Sequence, residues 1–101
     1  MEGFEIIDAK DKNKTLAVIN DGKKYFMHSS YYPLKESQEW AEEFEFNNDS
    51  IILVYGIGLG YHVNFLLDRL NLDNRLILIE PSKEIFEYAI NNGYYDKFKN
   101  R

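Results

Sequence analysis

The chain has 101 residues, of which 45% are hydrophobic and 29% charged, and these proportions predict a folded domain with a modest core. The formal net charge is −5 and no basic patch accompanies it, so we expect no nucleic-acid partner. Cysteine is absent, which excludes disulfides, thiolate metal sites and cysteine nucleophiles. No apolar run is long enough to predict a membrane span, so we expect a cytoplasmic protein with no membrane partner.

The first 30 residues predict a small antiparallel β-meander. Its three short strands are expected over residues 4–9, 15–20 and 23–29. Asn20, Asp21 and Gly22 form a strong hairpin signal, because the turns that join such strands need residues that tolerate positive φ. A meander has exposed edges, so we expect it to pack on the following helix or on another copy of the chain.

A helix is predicted over residues 33–46. Pro33 suits the first helical turn, where its missing N–H group is not needed, and an apolar stripe follows. The other positions carry five carboxylates, those of Glu36, Glu39, Glu42, Glu43 and Glu45. Their spread around the helix predicts a solvated face, because a metal needs ligands that converge, and we expect no metal site.

Residues 50–80 have the order of a β-α-β unit. Residues 50–55 are apolar without alternation after Ser50, which predicts a strand buried on both faces, as in parallel sheets. Residues 61–70 show helical spacing of apolar side chains, and residues 76–79 supply a second buried strand. A last helix follows Pro81 and stops near Gly93, and no further strand is predicted after it.

Gly56, Gly58 and Gly60 lie at the turn between the first buried strand and its helix. Glycine permits positive φ and lets a phosphate or another backbone approach without a Cβ in the way. Such a turn presents free N–H groups at the start of a helix, and an acidic residue after the next strand, here Glu80, is where a ribose hydroxyl is commonly held. These four residues form the candidate site for a nucleoside or a sugar nucleotide, with the cofactor unknown.

The same four residues also have a purely structural interpretation. Glycines at a strand-to-helix corner can serve tight packing alone, and a carboxylate after a strand can cap a helix. The spacing G-x-G-x-G, with Tyr61 next, departs from the dinucleotide fingerprint and resembles that of S-adenosylmethionine-dependent methyltransferases. The residues alone leave ligand binding and tight packing both open.

No catalytic residue is predicted. His28 and Ser29 are neighbours, but adjacent strand residues point to opposite faces and would not meet as base and nucleophile. We expect Ser30 or a neighbour to bond backbone N–H groups at the helix entry. His62 follows the glycine turn, where it either touches a ligand or lies idle on the first helical turn.

Three segments resemble one known family. Residues 25–36, YFMHSSYYPLKE, resemble the entry segment lHSxYxPxxEA of bacterial motility accessory factors, with Ser37 where alanine is expected. Residues 54–62, VYGIGLGYH, and residues 79–82, IEPS, resemble the glycine turn and second strand of the same family. The resemblance covers residues 23–92, with the segments in one order and with suitable gaps.

The resemblance implies a part in protein glycosylation. These factors look like flagellin glycosyltransferases that add nonulosonic acids to serine or threonine, and they are related to the 6-hydroxymethylpterin diphosphokinase-like family. The chain resembles only the N-terminal domain before the catalytic region, which implies a non-catalytic role in scaffolding, dimerisation or substrate presentation, with flagellin or a second copy as partner. The alternative is a nucleotide-binding fragment similar to an S-adenosylmethionine-dependent methyltransferase.

We therefore expect an α/β fold in a single domain over residues 1–101. An N-terminal antiparallel β-meander over residues 1–30 is followed, over residues 31–101, by a helix and a Rossmann-like β-α-β-α half. Two parallel strands are predicted, whereas doubly wound nucleotide-binding sheets usually have more. The chain is thus expected to be the N-terminal part of a longer protein.

Overall fold

A computed structural model describes residues 3–98 of the chain. The elements follow in the order β1 (Gly3–Asp8), β2 (Lys14–Asn20), β3 (Lys23–Phe26), α1 (Pro33–Glu43), β4 (Ile51–Tyr55), α2 (Tyr61–Leu67), β5 (Arg75–Ile79) and α3 (Lys83–Asn91). A three-stranded antiparallel sheet, a helix and a two-stranded parallel sheet with helices confirm the predicted mixed α/β fold. The Rossmann-like character of the second half stays a prediction, because two strands do not define a doubly wound sheet.

The antiparallel sheet contains the predicted hairpin. β1 pairs with β2 and β2 with β3, and the β2–β3 turn has φ values of 53° at Asp21 and 74° at Gly22. Both values are positive, as a primed hairpin turn requires. β3 ends at Phe26, earlier than predicted, because the chain turns inward: the Thr15 hydroxyl donates to the His28 carbonyl at 3.1 Å and the His28 side chain is buried.

Helix α1 ends at Glu43, before the predicted end at residue 46. The guanidinium of Arg69 donates to the carbonyl oxygens of Ala41 and Phe44 and lies 4.9 Å from the centre of the Phe46 ring. A cation at these carbonyls satisfies acceptors that the helix leaves unpaired and complements the helix dipole. Arg69 therefore helps to fix the point at which α1 stops.

The parallel sheet is buried on one face only. The prediction that residues 50–55 are buried on both faces is wrong, because exposure alternates along β4: Ile52 and Val54 are 4% and 7% exposed, but Leu53 is 59% exposed. The three helices pack under the same face, and each contributes to the core there: Ala41, Val63 and Ala89. The opposite face has no such cover within residues 3–98, so its apolar side chains meet solvent.

The glycine turn joins two apolar cores. One core lies under the parallel sheet and includes Ile57, and the other lies between the meander and α3 and contains Leu16, Leu59 and Ile85. Ile57 is 3% exposed and Leu59 is fully buried, so two side chains of one short turn enter different cores. The turn therefore fixes the position of the meander relative to the parallel sheet.

None of the helices described is long and apolar enough to cross a membrane.

The substitution Leu66→Ala tests the position of the core under the parallel sheet. Leu66→Ala is expected to lower the free energy of unfolding by about 2–5 kcal/mol, because the Leu66 side chain is fully buried among apolar neighbours. Leu72→Ala deletes the same atoms from a fully exposed side chain and is expected to change that free energy by less than about 0.5 kcal/mol. Urea denaturation of both variants gives the comparison, and equal losses would contradict this core.

Candidate functional site

The four residues of the predicted site meet at the carboxyl end of β4. Gly56, Gly58 and Gly60 connect β4 to α2 with φ values of 87°, 56° and 77°, all in the region that favours glycine. The Glu80 side chain lies against this turn. Its Oε1 accepts hydrogen bonds from the backbone N–H of Ile57 at 3.0 Å and of Gly58 at 2.9 Å.

Glu80 also connects the turn to helix α3. Its Oε2 accepts from the backbone N–H of Ser82 at 2.8 Å, and the Ser82 hydroxyl caps α3 by accepting from the Ile85 N–H at 3.2 Å. Hydrogen bonds to an ionised carboxylate are stronger than those between neutral groups. The carboxylate expected at a ribose hydroxyl is thus bonded to three N–H groups of its own chain.

The next N–H of the turn is bonded by a histidine from the end of the meander. Nε2 of His28 accepts from the backbone N–H of Leu59 at 3.0 Å, and the His28 side chain is buried. Because Nε2 is the acceptor, the proton of the neutral imidazole lies on Nδ1. Three consecutive N–H groups, those of residues 57–59, therefore have acceptors within the chain.

Side chains also fill the space that the glycines leave. A Cβ on Gly58 would lie 2.7 Å from Nε2 of His28, and one on Gly60 would lie 3.1 Å from the Phe98 ring and 3.2 Å from the Tyr95 ring. The Tyr95 hydroxyl donates to the Gly58 carbonyl at 2.6 Å. Burial raises the pKa of Tyr95, and the Glu80 carboxylate nearby adds to the effect, so this donor stays protonated.

A cavity of about 310 Å³ opens beside Gly56. Its lining combines an indole, two imidazoles, a carboxylate and a buried hydroxyl, from Met27, His28, Glu36, Ser37, Trp40, Gly56 and His62. The Trp40 and His62 rings meet edge to face with their centres 5.4 Å apart. An apolar wall with a few polar groups can hold a small ring that carries hydrogen-bonding substituents.

A second cavity, also of about 310 Å³, lies beside Glu80. Met27 lines both cavities and therefore lies between them. The second lining is mainly apolar but includes the carboxylates of Glu80 and Glu84. With Glu36 in the first cavity, carboxylates border the turn on both sides.

Both histidines near the turn favour the neutral form. Burial, together with the nearby His62 imidazole, lowers the pKa of His28 to about 4. Burial also lowers the pKa of His62, against the opposite effect of a hydrogen bond to the Gly56 backbone. Neither imidazole therefore offers a positive charge at pH 7, and the charge beside the turn is that of the carboxylates, which repels phosphate.

Side-chain hydrogen bonds to the backbone order the segment that resembles the family entry motif, immediately after His28. The Ser29 hydroxyl accepts from the N–H groups of Tyr31 and Tyr32, each at 3.0 Å, and the Glu36 carboxylate accepts from the Ser29 N–H at 2.8 Å. Serine bonding at the helix entry is as expected, with Ser29 in the role. His28 and Ser29 face different partners and are not arranged as base and nucleophile. In the part of the chain that the structure describes, no three His, Asp or Glu side chains converge as metal ligands.

Sequence reasoning missed His28 and Tyr95 as partners of the turn. His28 lies 31 positions before Leu59, and Tyr95 lies 37 positions after Gly58. The presence of His28 in the family entry segment indicated that this histidine matters. The pattern did not indicate which group the imidazole bonds. Tyr95 had no comparable signal, because its segment shows only that apolar residues are present.

Comparison with known proteins gives one finding that bears on function. The family model of the glycosyltransferase Maf N-terminal domain matches residues 4–97. The matched residues include the meander, the three motif segments and Tyr95. Searches of curated proteins and of solved structures return no match for the chain.

Gly58→Ala tests the close approach of His28. We expect it to destabilise the fold more than Gly22→Ala, because both glycines have positive φ but a Cβ meets His28 only at position 58 and meets nothing at position 22. Gly22→Ala is expected to cost about 1–2 kcal/mol for the left-handed backbone alone. Chemical denaturation measures both costs. Equal values would mean that His28 does not crowd Gly58.

The buried imidazole of His28 predicts a dependence of stability on pH. The folded pKa is about 4 and the ordinary value is 6.5, so between them the unfolded chain binds more protons. The contribution of His28 to the free energy of unfolding is therefore complete at pH values above 6.5. It declines as the pH falls towards 4, by up to about 3 kcal/mol. His28→Gln keeps an acceptor without proton uptake, so its free energy of unfolding should change less across this range. Identical pH profiles in urea denaturation would contradict a buried, neutral His28.

Proposed function

The chain belongs to the glycosyltransferase Maf N-terminal domain family, and from this premise we propose that it acts as a non-catalytic scaffold in flagellin glycosylation. In this role the glycine turn fixes the fold, and contacts with other proteins or domains are made by the outer surfaces. The proposal covers the role of this domain and leaves sugar transfer to other parts of the glycosylation apparatus.

One observation carries the proposal: the N–H groups of residues 57–59 are bonded to Glu80 and His28. In nucleotide-binding turns such N–H groups bind a phosphate. Here a phosphate would have to displace a buried imidazole and a carboxylate, and it would then lie beside further negative charge. Hydrogen bonds within the chain satisfy these N–H groups without a ligand, which supports the structural interpretation of the glycines.

The family motifs support the same interpretation. His28 from the entry segment and Glu80 from the second-strand segment both accept from the glycine turn. The Glu36 carboxylate accepts from the Ser29 N–H, and the Ser82 hydroxyl accepts from the Ile85 N–H. The segments that resemble the family therefore contact one another. Their side chains have a role in folding that requires no ligand.

A second candidate function is the binding of a nucleoside, as in a methyltransferase-like or sugar-nucleotide-binding protein. The cavity beside Gly56 favours it, because ligands in α/β proteins bind at the carboxyl ends of strands and Trp40 offers an aromatic wall for a ring. The Glu80 carboxylate already accepts from three N–H groups, so a ribose hydroxyl would have to compete with them for it. This requirement makes the second candidate weaker than the scaffold.

Thermal unfolding with ligands separates the two functions. S-adenosylmethionine and a cytidine-linked nonulosonic acid are added in parallel at millimolar concentration, because a ligand that binds only the folded state raises Tm. The scaffold proposal expects no shift. A shift with either ligand that disappears in Trp40→Ala would overturn it in favour of the cavity, and would identify which class of nucleoside binds there.

Glu80→Gln tests the carboxylate directly. A glutamine side chain has one acceptor oxygen and places an N–H donor towards a backbone N–H, so the free energy of unfolding is expected to fall by about 1.5–3 kcal/mol. Glu87→Gln is the control, because Glu87 is exposed and its ion pair with Lys83 spans 3.9 Å; its effect should stay below about 1 kcal/mol. Unchanged stability of Glu80→Gln, together with weaker nucleoside binding in calorimetry, would favour a ligand site.

A further inference from the structure

We propose that the outer face of the parallel sheet is the interface between two copies of this chain. The inference rests on the proposed scaffold function and gives it a partner. The parallel register of β4 and β5 sets six residues in three rows on this outer face: Ile51 beside Arg75, Leu53 beside Ile77, and Tyr55 beside Ile79.

The outer face is unusually apolar for a surface in contact with water. Alternate residues of a strand point to the same side, so these six side chains share one face. The apolar members are from 38% to 70% exposed, at Ile79 and Ile51 respectively. Parallel sheets are generally covered on both faces. The apolar side chains of this face expose roughly 500 Å², which is within the range of the largest patches on monomeric proteins, and such patches are often functional.

The area of the outer face is sufficient for a weak dimer. Two copies packed face to face would bury roughly 1,000 Å² in total, which is near the lower limit for a specific protein–protein interface. Two sheets can pack in this way with their apolar side chains between them, as in β-sandwiches. We therefore expect association that depends on concentration, rather than a permanent dimer.

The distribution of charge favours a second copy as the partner. In a two-fold interface each surface contacts the same surface of the other copy, so a charge at its centre would meet itself. The central row, Leu53 and Ile77, is uncharged, and Arg75 is the one charged residue of the face and lies at its end. The net charge of −5 opposes association through the rest of the surface, and this face carries none of the negative charge.

The position of Arg75 also selects an orientation. If the strands of two stacked copies ran in the same direction, both Arg75 side chains would fall in one row and repel each other. With the strands in opposite directions, each Arg75 lies over the row of Tyr55 and Ile79 in the second copy, where a guanidinium can contact the tyrosine ring favourably. In this arrangement Leu53 of one copy faces Leu53 of the other.

Analytical ultracentrifugation of the full 101-residue chain tests the interface. The weight-average mass of the wild type should rise towards that of a dimer as concentration increases from micromolar to about one millimolar. Leu53→Lys sets two ammonium groups against each other at the centre and should remain a monomer. Leu72→Lys is the control, since Leu72 is exposed in the α2–β5 connection, outside the outer face, and should associate as the wild type does. Circular dichroism verifies that both variants fold.

Cross-linking tests the orientation, because the chain has no cysteine and a single introduced thiol reports one position. With a short bis-maleimide, Leu53→Cys should cross-link two copies, whereas Arg75→Cys and Leu72→Cys should not. Cross-linking of Arg75→Cys in place of Leu53→Cys would overturn the opposed arrangement of strands.

A wild type that stays monomeric at every concentration, or a Leu53→Lys variant that still dimerises, would overturn the interface. These outcomes differ from failure of the scaffold function, which is read from ligand-induced shifts of Tm. A monomeric chain without ligand shifts would keep the scaffold and reject the second copy as its partner. A dimer that gains stability from a nucleoside would keep the interface and reject the scaffold.

Discussion

The structure depends on the acceptors for three consecutive N–H groups at residues 57–59. Buried N–H groups without acceptors are costly, and here the acceptors come from distant parts of the chain. His28 follows the meander, and Glu80 follows β5. Because both side chains bond to one turn, the meander, α1, the parallel strands and the start of α3 are held around it, and the turn's two buried side chains enter the cores on either side.

The glycine turn presents consecutive backbone N–H groups before a helix, as nucleotide-binding turns do, but its surroundings have a different chemistry. A carboxylate occupies the side of the turn from which a phosphate would approach, and the nearby imidazoles are neutral at pH 7. The absence of a Cβ at Gly58 and Gly60 allows the close approach of His28, Tyr95 and Phe98. The same local pattern can thus serve binding or folding, and the side chains from other segments decide which.

Local patterns predicted most of the fold, and contacts between distant segments account for what they missed. The hairpin followed from residues that tolerate positive φ, and the helices followed from apolar spacing. The prediction that β4 is buried on both faces was wrong, because a strand with an exposed apolar face has the same continuous run of apolar residues as a strand covered on both faces. The end of α1 depends on Arg69, and the environment of Glu80 depends on its contact with the glycine turn, so neither could be read from neighbouring residues. The sequence grouped Glu80 with the glycines, and the two do lie in contact, whereas the contribution of His28 required the three-dimensional structure.

The hydrogen bond between His28 and Leu59 has a consequence for how the molecule unfolds. If the meander separates from the parallel sheet, Leu59 loses the part of its core that includes Leu16 and the acceptor of its N–H group. Neither sheet can then melt while the other keeps all of its native contacts. The two halves are thermodynamically coupled, so a destabilising substitution in the meander should also increase solvent exchange of amides around the glycine turn.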